Sequence, residues 1–178
     1  AKQKGYSLII TVDNGVKSIE ALHHCKQCGM DVIVTDHHAV EEEIPCDYLL
    51  HPQWMGAQFA TLCGAGVALL LSRALLGDRK EHIVLAAVAS IGDVMELWHE
   101  TRAIVKAGLR YLNEGCCLPI QWLSKDKSTK WDVRKVAFQI VPKLNSTGRL
   151  ADMANANNTV RFLLMKDVTA IENFAKQI

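Results

Sequence analysis

The sequence lacks a long apolar run, a secretory signal and an excess of charge of either sign. Its longest apolar stretch, residues 64–76, is interrupted by Ser72 and Arg73 and is too short to cross a bilayer. Twenty Lys and Arg stand against nineteen Asp and Glu, which argues against a broad basic surface, although a local groove can still be basic. The six cysteines do not show the paired spacings of a disulfide-bonded domain, which predicts a reducing, cytoplasmic location. With no apolar run long enough to span a bilayer, no membrane association is expected.

The composition is that of a folded chain. Hydrophobic residues make up 49% of the 178 positions and charged residues 22%, so disorder is not expected. A chain of this length can bury one good core, and we therefore expect one domain or a piece of one.

A β-branched run at residues 32–35 stops abruptly on Asp36, His37 and His38. High strand propensity followed at once by three groups that can bind metal is typical of a buried strand with ligands at its carboxyl end. Open α/β sheets place their ligands at that edge. The alternative is that Asp36 caps the next turn while both histidines are solvated.

An upstream segment repeats this pattern and favours the ligand interpretation. Residues 8–12 form a second strand-like run that ends in Asp13, within an Asp-Asn-Gly turn. Between the two runs, apolar residues fall at helical spacing and Gly29 suits the position just past a helix end. The whole predicts a right-handed βαβ unit, in which Asp13 and His37 lie at the same sheet edge.

Three nearby clusters of possible ligand side chains are better explained as structural or solvent-exposed residues. Cys25 and Cys28 share a helix face but have no second suitably spaced pair, so structural cysteines are favoured over a zinc or thiol site. His23 and His24 point about 100° apart on a helix and indicate a solvated face. The acidic run at 41–43 indicates a solvated surface, because exposed runs of charge usually have no specific partner.

Two glycines open the next apolar helix. A short strand at 48–50 ends at His51, before a proline, and we expect His51 to be a neighbour of the site without being a ligand. Gly64 and Gly66 then allow the backbone to approach closely either a phosphate at the helix amino terminus or a packed neighbour. The residues alone leave these two alternatives open.

The second half of the chain reads as mostly helical. An apolar helix at 81–91 gives way to Asp93, which is either a turn residue or a held ligand. Apolar residues at 133–140 fall at helical spacing after Asp132, a predicted amino-terminal cap. Two short helices at 155–164 and 167–178 close the chain, the second capped by Asp167.

Residues 142–150 are predicted to form a polar loop. It contains Asn145, two hydroxyls, a glycine and Arg149, which together offer many donors to phosphate oxygens, and the arginine fork suits phosphate bidentately. An ordinary polar loop is the alternative.

Five of these segments resemble the DHH phosphoesterases, and most closely the RecJ-type single-strand-specific exonucleases. They are Thr-Val-Asp-Asn-Gly at 11–15, Val-Thr-Asp-His-His at 34–38, Gly-Ala-Gly-Val-Ala at 64–68, Gly-Asp-Val-Met-Glu-Leu at 92–97 and Pro-Lys-Leu-Asn-Ser-Thr-Gly-Arg-Leu at 142–150. The resemblance spans residues 8 to 150. It implies an α/β fold in which a parallel-sheet DHH-type domain has flanking helices and becomes mostly helical towards the C-terminus.

The resemblance also implies a site and a cofactor. By this match the metal ligands are Asp13, His37 and Asp93; His38 contacts the scissile phosphate and Asp36 orients its neighbours, so both count as catalytic. The residues implied to bind phosphate or nucleic acid are Arg149, Asn145, Gly64, Gly66 and Arg102. Two Mn²⁺ or Mg²⁺ ions are expected, with Mn²⁺ favoured by the histidine.

The likeness predicts an internal fragment of a longer enzyme. The family's preceding strand with paired aspartates and its later clamping domain have no match here, so we expect residues 1–115 to be a partial catalytic domain. Residues 116–178 are then its helical continuation, which carries the 142–150 loop.

The function expected from the resemblance is 5′-to-3′ hydrolysis of single-stranded DNA in repair and recombination, with a single-strand-binding protein or a helicase as partner. Two alternatives stay open. One is another DHH phosphoesterase, acting on oligoribonucleotides, cyclic dinucleotides or pyrophosphate, which the 142–150 segment disfavours. The other is a non-catalytic replisome or binding module, which the intact Asp13, His37, His38 and Asp93 disfavour.

We predict that the 178-residue chain alone hydrolyses nothing at a useful rate, because half of the implied metal shell is missing from it. The measurement is a nuclease assay with Mn²⁺ on a 5′-phosphorylated single strand. Robust processive digestion by this chain would contradict the prediction.

Overall fold

A computed structural model describes residues 1–124, 126, 130–147 and 156–176. The chain packs as two compact units, one made of residues 1–78 and 95–103, the other of residues 79–94 and 104–178. The functional boundary predicted at residue 115 falls inside the second unit and stays a prediction. Within the described part of the chain, no helix combines the length and apolar character that a bilayer crossing needs.

The first unit is built on a three-stranded parallel sheet. Its strands are β1 (Leu8–Val12), β2 (Asp31–Thr35) and β3 (Tyr48–Leu50), in the order β1-β2-β3. The chain crosses from β1 to β2 through α1 (Ile19–Gln27), so the predicted βαβ unit is confirmed. Gly29 takes the left-handed conformation that ends α1, with a φ of 66°.

Strand β2 lies in the centre because its residues are apolar on both faces. Val32 and Val34 are fully buried and form the core of this unit with Val16 and Leu22. Thr35 is buried as well, and its hydroxyl donates to the carbonyl of Thr11 at 2.8 Å, across the β1–β2 pair. The strands are therefore held in register up to their carboxyl ends, where the polar residues begin.

Helix α2 (Gly64–Leu76) completes the first unit, together with short 3₁₀ turns at Pro52–Trp54 and Ala57–Phe59. The opening residues of α4 (His99–Asn113) also belong to it. Thr101 is buried there, and its hydroxyl lies 2.8 Å from that of Thr61.

The second unit is helical, as predicted for the C-terminal half. Its elements are α3 (Lys80–Gly92), the rest of α4, α5 (Leu118–Trp122), α6 (Val133–Lys135), a π-helical segment (Val136–Ile140), α7 (Val141–Thr147), α8 (Ala156–Leu163) and α9 (Val168–Ala175). Helices α3 and α4 touch closely at Gly108, where a side chain would overlap Ala87. Phe162 stacks on Phe174, with ring centroids 4.8 Å apart. Asp132 and Asp167 cap α6 and α9, as predicted.

The predicted loop at 142–150 is a helix over its described part, residues 141–147. Pro142 would also disfavour a regular helix at this position, because it lacks an N–H and its ring clashes with the carbonyl one turn back. The π-helical segment immediately before it changes this geometry, since the N–H of Val141 donates to Val136, five residues earlier. The widened turn accommodates the proline, and the helix continues through it.

Candidate metal centre

The three parallel strands end side by side, and each is followed by a polar side chain. Asp13 comes directly after β1, and its N–H donates to the carbonyl of Thr35 at 2.9 Å. Asp36 comes directly after β2, and its N–H donates to the carbonyl of Leu50 at 3.2 Å. His51 follows β3. The backbone of each of the two acids is therefore held by one further hydrogen bond to the neighbouring strand, so both acids lie on a rigid edge of the sheet.

Asp13 and His37 lie together at this edge, as expected for parallel neighbours. The Oδ1 atom of Asp13 is 3.2 Å from Nε2 of His37. Asp13 is in the left-handed region with a φ of 60°, a conformation that Asp tolerates better than most residues. The turn of the backbone at this point directs the carboxylate towards the imidazole.

His38 joins this pair, so that three side chains can share a cation. One possible ligand atom from each of Asp13, His37 and His38 lies within 4.8 Å of the other two. Among the described residues, these three form the cluster of Asp, Glu, His or Cys side chains that could hold a metal ion. One carboxylate and two imidazoles suit Mn²⁺ and related divalent ions. The residues present therefore fit the metal that the sequence implies. The sequence assigns His38 to the scissile phosphate instead, and that role stays a prediction.

The carboxylate of Asp36 lies beneath this group and is 1% exposed. Its Oδ2 accepts the N–H of Val16 at 3.1 Å, and its Oδ1 accepts the N–H groups of His37 at 2.8 Å and of His38 at 3.3 Å. The same Oδ1 lies 2.7 Å from Nδ1 of His38. Asp36 thus folds the turn around itself and leaves Nε2 of His38 to face outwards.

These hydrogen bonds shift two pKa values in opposite directions. Burial raises the pKa of Asp36, but the hydrogen bonds from the His38 ring and from three backbone N–H groups outweigh it, and the pKa lies below its ordinary value. The hydrogen bond to Asp36 raises the pKa of His38. The pair therefore favours a carboxylate beside an imidazolium.

His51 fixes the other side of the turn. The ring is 4% exposed; its Nε2 lies 2.8 Å from the carbonyl of His38, and its Nδ1 accepts the N–H of Gln53 at 3.2 Å. These two contacts place the proton on Nε2, which donates to the carbonyl. His51 is a neighbour of the group, and it also holds the His38 backbone. A histidine at a strand end gave no signal for this contact, because the contact is made thirteen residues away.

Gly64 touches Asp13 directly. A side chain at Gly64 would overlap the Asp13 carboxyl group, so the glycine opens the space that this carboxylate occupies. The positive end of α2 also faces the carboxylate there. Gly66 packs against Leu62, where a Cβ would lie 2.9 Å from Cδ2. The close approach allowed by both glycines is made here by protein atoms, and a phosphate contact stays a prediction.

Four further candidates come from other parts of the chain. Asp93 is in the second unit, where it ends α3 and its N–H donates to Ala89 at 2.8 Å, and its role as a ligand stays a prediction. Arg102 is exposed on α4, and Asn145 is exposed on α7. Arg149 lies outside the described residues.

Replacing Asp36 by Asn is expected to lower the free energy of unfolding by about 1–3 kcal/mol at neutral pH, because buried donors lose a charged acceptor. Since the folded-state pKa lies below the unfolded value of about 4, the stabilisation is complete above that pH. It disappears as the pH falls through the lowered pKa. Urea unfolding followed by circular dichroism at several pH values measures both effects.

The matched control is Asp31→Asn, an exposed acid at the start of β2, which should change stability by less than about 0.5 kcal/mol. A loss in Asp36→Asn that does not depend on pH, or an equal loss in Asp31→Asn, would show that the buried carboxylate is not the source.

Replacing Gly64 by Ala is expected to weaken Mn²⁺ binding about tenfold or more, because the new methyl group displaces the Asp13 carboxylate. Isothermal titration calorimetry gives the affinity. Gly108→Ala is the control, since it crowds Ala87 in the second unit and touches none of the three ligand candidates. Full Mn²⁺ affinity in a folded Gly64→Ala protein would refute this role of Gly64.

Comparisons with known proteins identify the family of the chain. The sequence profile of the DHH family, N-terminal domain, matches residues 2–92. The single-stranded-DNA-specific exonuclease RecJ of Bacillus subtilis is 35% identical over 99% of this chain and 23% of its own length. The corresponding RecJ of Thermus thermophilus is 34% identical over 90% of this chain and 24% of its own. The chain therefore spans about a quarter of the length of these curated relatives.

Two solved structures have the same fold. The crystal structure of RecJ in complex with Mn²⁺ from Thermus thermophilus superposes with a TM-score of 0.85 at 31% identity, over 99% of this chain and 28% of that one. A crystal structure of exonuclease RecJ bound to manganese gives 0.81 at 30% identity, over 98% and 46%. The chain belongs to the DHH family, and within it is similar to the RecJ exonucleases.

Proposed function

We propose that this chain is the metal-binding part of an exonuclease that hydrolyses single-stranded DNA from 5′ to 3′ in repair and recombination. The observation that carries the proposal is the meeting of Asp13, His37 and His38, with Asp13 Oδ1 only 3.2 Å from His37 Nε2. The similarity to the RecJ exonucleases, whose names specify single-stranded DNA, supports the substrate.

Asp13 and His37 would hold the metal, and we include Asp93 as a further ligand. Mn²⁺ fits one carboxylate with imidazoles, and Mg²⁺ is the second choice. When bound, divalent cations make a nucleophile available at neutral pH and offset charge on the attacked phosphate.

His38 would contact the scissile phosphate through Nε2. Because Nδ1 donates to the Asp36 carboxylate, Nε2 is the nitrogen that is left to face the substrate. Because the hydrogen bond to Asp36 raises the pKa of His38, its imidazolium form persists to higher pH than that of an ordinary histidine, and this form donates a hydrogen bond from Nε2 to an anionic oxygen. His51 and Asp36 together keep the His38 backbone in place during this contact.

Arg149, Asn145 and Arg102 complete the proposal as contacts to the nucleic-acid backbone. Their chemistry suits phosphate, since arginine presents two parallel donors. A cytoplasmic location, and a single-strand-binding protein or a helicase as partner, also belong to the proposal.

The test measures metal binding and cleavage separately. Asp13→Asn and His37→Ala should each lower Mn²⁺ affinity in this chain. In the protein from the complete reading frame, they should lower the cleavage rate about 100-fold or more on a 5′-phosphorylated single strand. Asp31→Asn, an exposed acid at the opposite end of β2, should leave both unchanged.

Undiminished cleavage of single-stranded DNA by Asp13→Asn would overturn the proposal. A preference for duplex DNA, or cleavage of pyrophosphate or short oligoribonucleotides alone, would overturn the substrate assignment while leaving the metal site in place.

A further inference from the structure

A basic stretch interrupts the otherwise balanced charge of the chain. Residues 125–135 contain five Lys and Arg against two Asp, whereas the whole sequence has twenty against nineteen. The stretch belongs to the second unit, and it contains none of the residues that the proposed chemistry uses. Local positive charge of this kind is what a phosphate backbone selects.

The structure forms a depression of about 370 Å³ beside this stretch. Its lining residues come from α6, the π-helical segment and the residues just before them: Lys130, Asp132, Arg134, Lys135, Phe138 and Gln139. They will be called the Phe138 surface.

Two of the charged groups of the Phe138 surface already have internal roles. Asp132 accepts the N–H of Lys135 at 2.7 Å as the cap of α6. The buried ammonium of Lys135 donates to the carbonyl of Asp126 at 2.6 Å and lies 4.5 Å from the ring centre of Trp131. The charge offered to a ligand therefore comes from Lys130 and Arg134, both of which are exposed.

Phe138 lines the same depression and is 74% exposed. Its helix neighbours Val136 and Ile140 are fully buried, so the segment is firmly packed while this one ring faces outwards. Arg134 lies four residues earlier, on the same side of the helix. Gln139 is held by the hydroxyl of Ser124, which donates to its side-chain oxygen at 3.0 Å.

An aromatic ring flanked by cations matches single-stranded nucleic acid better than an apolar protein face. Each nucleotide offers a base that stacks on an aromatic ring and a phosphate that pairs with a cation, at adjacent positions. A docking site for a protein would place further apolar side chains around Phe138, but its neighbours in the depression are polar or charged. π-Helical segments are also frequent at functional sites.

We propose that the Phe138 surface binds single-stranded nucleic acid, with a base stacked on Phe138 and flanking phosphates on Arg134 and Lys130. This inference rests on the proposed function for the identity of the strand, and it adds a binding site remote in sequence from the metal ligands. The contact is independent of base identity because every base has a π-face.

The experiment measures fluorescence anisotropy of a labelled oligo-dT strand with the protein in EDTA, so that metal binding plays no part. Phe138→Ala should weaken binding about tenfold, and Phe138→Trp should retain it. An abasic strand of the same length should bind Phe138→Ala and wild type equally. Circular dichroism of each variant verifies the fold.

The charge contribution is tested with Arg134→Ala, which should weaken binding and reduce the slope of log affinity against log salt by about one. Arg110→Ala is the matched control. Arg110 also lies beside an aromatic ring, that of Tyr111, in the same unit, but Glu114 pairs with it. Its removal should leave both affinity and slope unchanged.

The inference is overturned if Phe138→Ala and Arg134→Ala bind oligo-dT as tightly as wild type does. It is equally overturned if Phe138→Ala weakens binding of the abasic strand as much as binding of oligo-dT. It is also overturned if an oligo-glutamate peptide, and not oligo-dT, binds in a manner that depends on Phe138. Metal titrations separate this result from the proposed function. Phe138-dependent binding without any Mn²⁺ site would refute the nuclease alone, whereas Mn²⁺ binding without Phe138 dependence would refute this surface alone.

Discussion

The buried carboxylate of Asp36 is the interaction on which the arrangement of the metal centre depends. It accepts the N–H of Val16, from the β1–α1 turn, and the N–H groups of the two histidines after β2. One side chain therefore connects the ends of two strands. A buried charge is tolerated only when its hydrogen-bonding capacity is filled, and here three backbone N–H groups and the His38 ring fill it. The ligand candidates can then lie at the solvent edge while the group that places them stays inside.

Much of the first unit could be predicted from the sequence because its signals are local. The β-branched runs before Asp13 and Asp36 identified β1 and β2, and Gly29 identified the end of α1. Parallel topology then brought Asp13 to His37 without any knowledge of distances. The helix caps Asp132 and Asp167 could also be predicted from the sequence, because a cap needs only a side-chain acceptor and an N–H three residues later.

The contacts that were not predicted join residues distant in the chain. The pairing of Gly64 with Asp13 spans fifty-one residues, and a glycine in a sequence does not indicate which atom will occupy the space it leaves. The bond from His51 to the His38 carbonyl is of the same kind. The helix over 141–147 was missed for another reason: the segment was interpreted from its polar side chains, which do not indicate that a preceding π-helical turn lets the helix continue through Pro142.

The π-helical segment at Val136–Ile140 has a consequence for the length of this region. A single π turn holds one residue more than an α turn, so removing one residue there would let the chain continue as a regular α-helix with the residues beyond it on nearly the same sides of the axis. Val141, whose Cγ2 lies 3.3 Å from the position of a Cβ on Gly92, would then keep its place. In a regular helix the same deletion would rotate everything beyond it by about 100°. A one-residue deletion in this stretch would therefore preserve the angular positions beyond it, but it would remove the wider turn that accommodates Pro142.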